Sequence, residues 1–221
     1  MITFKQYLQE QTDEYLDDPS QIASIIKRDC LPFLKEIGDK LPLYRGILSR
    51  HSALTRRKVR KDRIPKDTSK EVHHVLNLAF KQLSGINYRS EAVFVTHNKN
   101  VALDYGAIHM IFPIGNFDYA WSPKINDAFE WFAQGDLSNA VLKKQIEYDP
   151  ENLNKYYDDV FEFIVSGKAK YKFNTGLQDA AAWRQEIMIH CDEYYALPAW
   201  GSYDDLASDV LEILKVKMKE E

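Results

Sequence analysis

Val93-Phe94-Val95-Thr96, with Asn100-Val101-Ala102-Leu103-Asp104-Tyr105-Gly106 behind it, switches from strand-like to helix-like patterning within a short length of chain. The apolar, β-branched run reads as a strand over Ala92 to Thr96, and a short helix follows from Asn98 to Tyr105. A second apolar run, Ile108 to Ile114, returns to strand, and Asp118 to Trp121 gives a shorter extended piece. Strand, helix and strand in succession predict a chain of mixed helices and strands. Two distant stretches share one feature with the first: Leu41-Pro42-Leu43-Tyr44-Arg45-Gly46 and Trp183-Arg184-Gln185-Glu186-Ile187-Met188-Ile189. Each sets one polar side chain at the edge of an apolar run, where a rigid sheet can present it. In chain order they are an arginine, a hydroxyl and a glutamate.

Outward from these strands the helical patterns are clear. Apolar residues at Ile22, Ile25, Ile26, Leu31 and Leu34 predict a helix over Ser20 to Ile37, capped by Ser20, kinked at Pro32 and stopped by Gly38. Val72, Val75, Leu76, Ala79, Phe80 and Leu83 predict another over Thr68 to Leu83, ended by Gly85. Helix is also expected around Ala133 and over Leu137 to Ile146, ahead of an acid-rich stretch from Tyr148 to Lys170. Asp204 to Lys219 predicts an amphipathic helix with acids first and lysines last, as the helix dipole favours.

The 221 residues, 45% of them hydrophobic, suffice for one core, and no low-complexity tract divides them. A formal charge of −4 gives no global attraction to nucleic acid or membrane. Locally the balance differs: Arg50, Arg56, Arg57, Lys58, Arg60, Lys61, Arg63 and Lys66 face one acid, Asp62. This run reads first as a solvated loop, and otherwise as a surface for a pyrophosphate or a nucleic acid. Cys30 and Cys191 have no metal spacing and read as buried, inert thiols in a reducing compartment; His73-His74 lacks ligand-spaced partners, so no metal is expected. No segment approaches membrane-spanning length, and no membrane partner is expected.

The trio has a coherent chemistry. A guanidinium at Arg45 can grip a phosphate or ribose through two parallel hydrogen bonds. The Thr96 hydroxyl can donate and accept, holding a carboxylate in one rotamer while touching a ligand. Glu186 can bond a ribose hydroxyl and face the positive charge that grows on a sugar as its leaving group departs. Taken singly, each residue has an ordinary explanation: a surface ion pair, a helix cap, an exposed strand-end charge. Their order and shared placement favour one site.

These motifs resemble the arginine-serine-glutamate class of mono-ADP-ribosyltransferases, most closely the small ones of large tailed bacteriophages. Tyr44-Arg45-Gly46 is similar to the family's first strand; Thr96 followed by Ala102 and Tyr105 resembles its second strand and helix; Gln185-Glu186-Ile187-Met188-Ile189 looks like the second half of its Glu-x-Glu strand. The patches span about residues 41 to 197. The resemblance implies an α+β fold: two small, mostly antiparallel sheets around an NAD cleft, with amino-terminal helices. It implies NAD as substrate, contacted by Tyr44, Arg45, Gly46, Arg89, Thr96 and Tyr105. Arg45, Thr96 and Glu186 would be the catalytic residues, with nicotinamide leaving through an oxocarbenium-like state. The segment from Phe173 to Trp183, with Arg184 and Gln185, would recognise the acceptor, a host protein or RNA.

One departure bears on that acceptor. Arg184 stands where arginine-modifying members carry their first glutamate, so an arginine acceptor would meet a like charge. Glu193 is the fallback carboxylate. Two other readings stay open: an inactive protein of this fold with a structural or binding role in the phage head, and an RNA-directed member supported by the basic run. Met1 to Glu10 is similar to phage capsid-targeting peptides cut after Leu-x-Glu, here Leu8-Gln9-Glu10, with residues 11–221 forming the single domain. Residence in the host cytoplasm, with packaging in the virion head, follows as an expectation, and the capsid becomes an assembly partner.

Overall fold

A computed structural model describes residues 17–48, 54–63, 70–125, 158, 160–162, 164, 169–183 and 186–219. The expected helices around Ala133 and Leu137 to Ile146, most of the Tyr148 to Lys170 stretch, the Met1 to Glu10 peptide, Arg50 and Lys66 lie outside these residues.

The amino-terminal helical pattern becomes two helices, α1 (Pro19–Asp29) and α2 (Leu31–Ile37). The break falls at Cys30 because Pro32 has no N–H and its ring crowds the preceding turn. Asp18, not Ser20, caps α1: its carboxylate accepts from the Ser20 N–H at 2.9 Å. Pro19 accounts for the shift, since its fixed φ suits the first helical position and starts the helix one residue early. Of the expected apolar face Ile22, Ile26 and Leu34 are buried and Ile25 and Leu31 only partly so, while Phe33 and Ile37 of α2 are buried as well.

Among the described residues eight strands follow: β1 (Tyr44–Ile47), β2 (Thr55–Lys58), β3 (Ala92–Val95), β4 (Ala107–Pro113), β5 (Asp118–Trp121), β6 (Lys172–Phe173), β7 (Ile187–His190) and β8 (Glu193–Pro198). They form two antiparallel four-stranded sheets, ordered β1-β4-β8-β2 and β3-β7-β5-β6. The chain is therefore α+β with two small antiparallel sheets. Edge strand β1 meets edge strand β3 through one backbone pair: Tyr44 N–H donates to the Thr96 carbonyl at 2.7 Å, and Thr96 N–H to the Tyr44 carbonyl at 2.9 Å.

Alternation on the second sheet assigns its two faces. Val93, Val95, Ile187, Ile189, Tyr119 and Trp121 enter a core shared with α1, α2 and the first sheet. Ala92, Ala120 and Met188, with Phe94 beside them, face a second core built on α3 (Lys70–Ser84), which Val75, Leu76, Ala79 and Phe80 fill. Gly85, at φ +82°, ends α3 as expected. The remaining helices are α4 (Tyr88–Glu91), α5 (Lys99–Leu103, capped by Asn98), α6 (Leu177–Ala182) and α7 (Asp204–Lys219). Val210 and Leu214 of α7 pack into the same core as Ile22 and Ile26 of α1.

Two expectations need correction. Part of the basic run is strand: β2 pairs with β8 along Thr55 to Lys58, because an edge strand can leave Arg56 and Lys58 in water while its backbone completes a ladder. The Phe173 to Trp183 segment, expected to recognise the acceptor, is no plain loop: it starts on the last residue of β6 and contains helix α6.

Candidate functional site

Phe94, on β3, is the centre of the arrangement. Arg45 reaches it from β1 of the other sheet, its Nη1 donating to the Phe94 carbonyl at 3.1 Å. Burial lowers the pKa of Arg45, and neighbouring Arg57 lowers it further, while Tyr194 and Glu186 oppose the shift. Gly46 explains how β1 comes so close. A Cβ there would lie 2.1 Å from the Ala102 carbonyl oxygen and 2.7 Å from Gly106 N, so only glycine lets the strand pass the end of α5. The contact the structure gives Gly46 is therefore this backbone approach.

Two further guanidiniums converge on the Phe94 ring. Arg63, just beyond β2, places its Cζ 3.9 Å from the ring centroid; Arg89, in α4, places its Cζ 5.0 Å from it. The Arg89 side chain is only 4% exposed, yet its Nε and Nη1 make no hydrogen bond. The Glu186 carboxylate lies 3.6 Å from that Nη1 and is itself 24% exposed. Arg63 Nη1 is likewise buried without a hydrogen bond. Its pKa is pushed down to about 10, first by burial and then by Arg45 and Arg89, with Glu186 and Tyr105 pulling the other way. Three guanidiniums thus share one carboxylate among the described residues around Phe94. An uncompensated buried charge costs several kcal/mol even after relaxation, so the surplus disfavours the ligand-free state.

A second layer holds Arg89 in place. Its backbone N–H donates to Asn77 Oδ1 at 3.0 Å, while Asn77 Nδ2 donates to Ser90 Oγ at 2.7 Å. His73 Nε2 lies 2.9 Å from the same hydroxyl, and Arg63 N–H donates to the Ser90 carbonyl at 3.3 Å. Burial, then Arg89 and Arg63, push the His73 pKa down to about 4, leaving the imidazole neutral. One turn of α3 therefore ties the segments bearing Arg63 and Arg89 together.

Thr96 is buried, and its hydroxyl accepts from Asn98 N–H at 3.1 Å, which makes it part of the turn into α5. Val95 pairs with Ile187, so extending the antiparallel register by one residue sets Thr96 opposite Glu186. Tyr44 packs half-buried against the first core, where burial, followed by Asp204, raises its phenol pKa. Tyr105 is exposed close to Arg63. Trp183 is 60% exposed at the end of α6. Phe173 instead packs in the second core, 6.2 Å from Phe80 and 6.0 Å from Tyr88 between ring centroids. Arg184 and Gln185 lie outside the described residues. The fallback carboxylate, Glu193, is bound to Arg56 on the first sheet.

Cys30 and Cys191 are buried, and burial raises both thiol pKa values, that of Cys191 to about 12. No group of three or more His, Cys, Asp or Glu able to hold a metal occurs among the described residues, and no helix among them is long and apolar enough to cross a membrane.

Arg63 and Phe94 are the site members that neither the trio nor the expected NAD contacts, Arg89 among them, include. Phe94 had a signal: it stands two residues before Thr96 and so shares its strand face. Arg63 had none, being one cation in an aperiodic run. The assembled group can chemically do two things: bind a compact anion through unfilled guanidinium donors, and hold a carboxylate beside it. Comparisons with family models, curated proteins and solved structures find no match to this chain.

Proposed function

We propose that the protein is an NAD-dependent mono-ADP-ribosyltransferase of phage type, with an ADP-ribosyltransferase-like arrangement of its two sheets around an NAD cleft. The observation that carries the reading is the meeting of Arg45 and Glu186, 141 positions apart in sequence, at one sheet junction with Thr96 opposite Glu186. In this reading Arg45 binds a phosphate or ribose of NAD with a bidentate geometry. Arg89 adds a phosphate contact. Glu186 accepts a ribose hydroxyl and stabilises positive charge on the sugar as nicotinamide leaves, an interaction strongest in the transition state. Exposed Tyr105 and Trp183 offer ring faces for the nicotinamide and the acceptor. Arg45 stands on β1 and Arg89 in α4, while Thr96 directly follows β3 and Glu186 directly precedes β7, so these side chains are held at or beside regular elements, which supports precise positioning. Packaging with a phage head and delivery into the host cytoplasm belong to the same proposal and rest on the Met1 to Glu10 resemblance.

The test is incubation of the purified protein with labelled NAD and a bacterial extract, with and without RNase, beside Glu186→Gln. Label transfer by wild type alone, with release of nicotinamide, is the expected result, and its RNase sensitivity separates RNA from protein acceptors. Absence of both label transfer and nicotinamide release, together with absence of NAD binding, would leave an inactive protein of this fold.

A further inference from the structure

We propose that Arg63 and Arg89, stacked against the Phe94 ring, form a two-guanidinium site for a phosphate dianion, and that filling it releases the Glu186 carboxylate from Arg89. The first half stands on its own geometry. Arg89 is 4% exposed and leaves both Nε and Nη1 without a hydrogen bond, and Arg63 leaves a buried Nη1 in the same state. Buried donors are ordinarily satisfied, and three that are not belong to two neighbouring cations around a single ring. Burial and then the nearby Arg45 and Arg89 charges lower the Arg63 pKa, which is consistent with the same crowding.

Hydrophobic burial does not explain such a cluster, because like charges repel and each guanidinium loses its water. A ligand explains it. With Arg45, three guanidiniums lie around Phe94 and, among the described residues, Glu186 is the carboxylate beside them, so a phosphate monoester or a pyrophosphate would supply negative charge that the cluster lacks. Guanidiniums match the geometry of phosphate oxygens, and the ring fixes their planes before the ligand arrives. The cradle is held by Asn77 and Ser90 through the Arg89 and Arg63 backbones, so the donors are positioned independently of any anion.

The second half follows from what Arg89 touches now. Glu186 Oε1 lies 3.6 Å from Arg89 Nη1, beyond hydrogen-bond length, so the carboxylate compensates the cation only partly. A phosphate oxygen bonded to the same nitrogen takes the place of Glu186 Oε1 and ends its pairing with Arg89, so that this oxygen can turn to a ribose hydroxyl. This second step rests on the transferase reading; the anion site does not. Arg63 and Arg89 are then specificity residues for a phosphorylated ligand, and Arg89 also positions Glu186.

Inorganic pyrophosphate and phosphate are the probes, titrated calorimetrically into the full chain in the absence of NAD. Wild type is expected to bind pyrophosphate one to one, and Arg63→Gln and Arg89→Gln each to weaken binding by about tenfold or more. Glu186→Gln is expected to bind it several-fold more tightly, because the internal competitor is gone. Arg63→Met supplies a check on folding: removing a buried, unsatisfied cation is expected to raise the melting temperature of the ligand-free protein while abolishing the pyrophosphate-induced rise. Undetectable pyrophosphate binding by folded wild type, or binding that both arginine variants retain, overturns the site. Unchanged affinity in Glu186→Gln overturns the exchange. Pyrophosphate binding that depends on both arginines in a protein that releases no nicotinamide from NAD supports the site while removing the transferase.

Discussion

The basic run delivers cations to two regions, and they fare differently. On the open side of β2 and the turn after it, Arg56 pairs with Glu193, Arg60 with Asp62 at 3.1 Å and Lys61 with Asp192 at 3.2 Å, each cation more than half exposed. Around Phe94, Arg63 and Arg89 are sunk into the protein, with one carboxylate among the described residues to share. The same residue types thus serve as ordinary solvated ion pairs in one place and as unsatisfied donors a short distance along the chain. Charge count in a sequence window does not mark a site. A charge left without its counter-ion after burial does.

The largest expected effect comes from removing the one anion that the described residues place beside the buried guanidiniums. Glu186→Gln should lower turnover of NAD by about a hundredfold or more without weakening NAD binding, because the lost interaction is made mainly with transition-state charge. Separate measurement of kcat and of ligand Kd checks it, and parallel loss of both would instead give Glu186 a ground-state role. Next comes the backbone that brings Arg45 in. Gly46→Ala forces a Cβ to within 2.1 Å of the Ala102 carbonyl, so overpacking should destabilise the fold by roughly 1–3 kcal/mol or more, read from urea denaturation.

His73 reports the surplus charge directly. Its folded-state pKa of about 4 lies below the ordinary 6.5, so the unfolded chain takes up a proton first as pH falls. The His73 contribution to stability is therefore intact above about pH 6.5 and is lost between there and about pH 4. Thermal melts across that window should show the decline in wild type and a shallower one in His73→Gln. Arg63→Met should move the His73 titration upward by NMR, since one of the cations depressing it is gone. A His73 titration that ignores Arg63 would separate the two regions less sharply than drawn here. The smallest effect belongs to the exposed edge: Arg56→Ala should change stability by less than about 1 kcal/mol, as solvent-screened pairs do.

Much of this architecture is legible before any coordinates. Ala92 to Val95, Ala107 to Pro113 and Asp204 to Lys219 carry apolar periods strong enough to declare themselves. β2 does not, because Thr55-Arg56-Arg57-Lys58 has no apolar alternation and is made a strand by its partner β8. β8 in turn follows β7 so closely that its own apolar run reads as a continuation. Arg45, Thr96 and Glu186 are visible as strand-edge polar residues, whereas the burial of Arg63 is a tertiary event. It depends on a ring in β3 and on Asn77 in α3, and no local pattern encodes either distance.

The backbone pair between Tyr44 and Thr96 has a kinetic consequence. Arg45 lies on one sheet and Glu186 at the margin of the other, yet among the described residues only two backbone hydrogen bonds stitch the sheet edges together, at 2.7 and 2.9 Å. Beside the shared core and the Arg45 to Phe94 bond, these two amides are the backbone's own link across the junction. Deuterium exchange at the Tyr44 and Thr96 amides therefore times the opening of the junction itself, apart from unfolding of the sheets on either side.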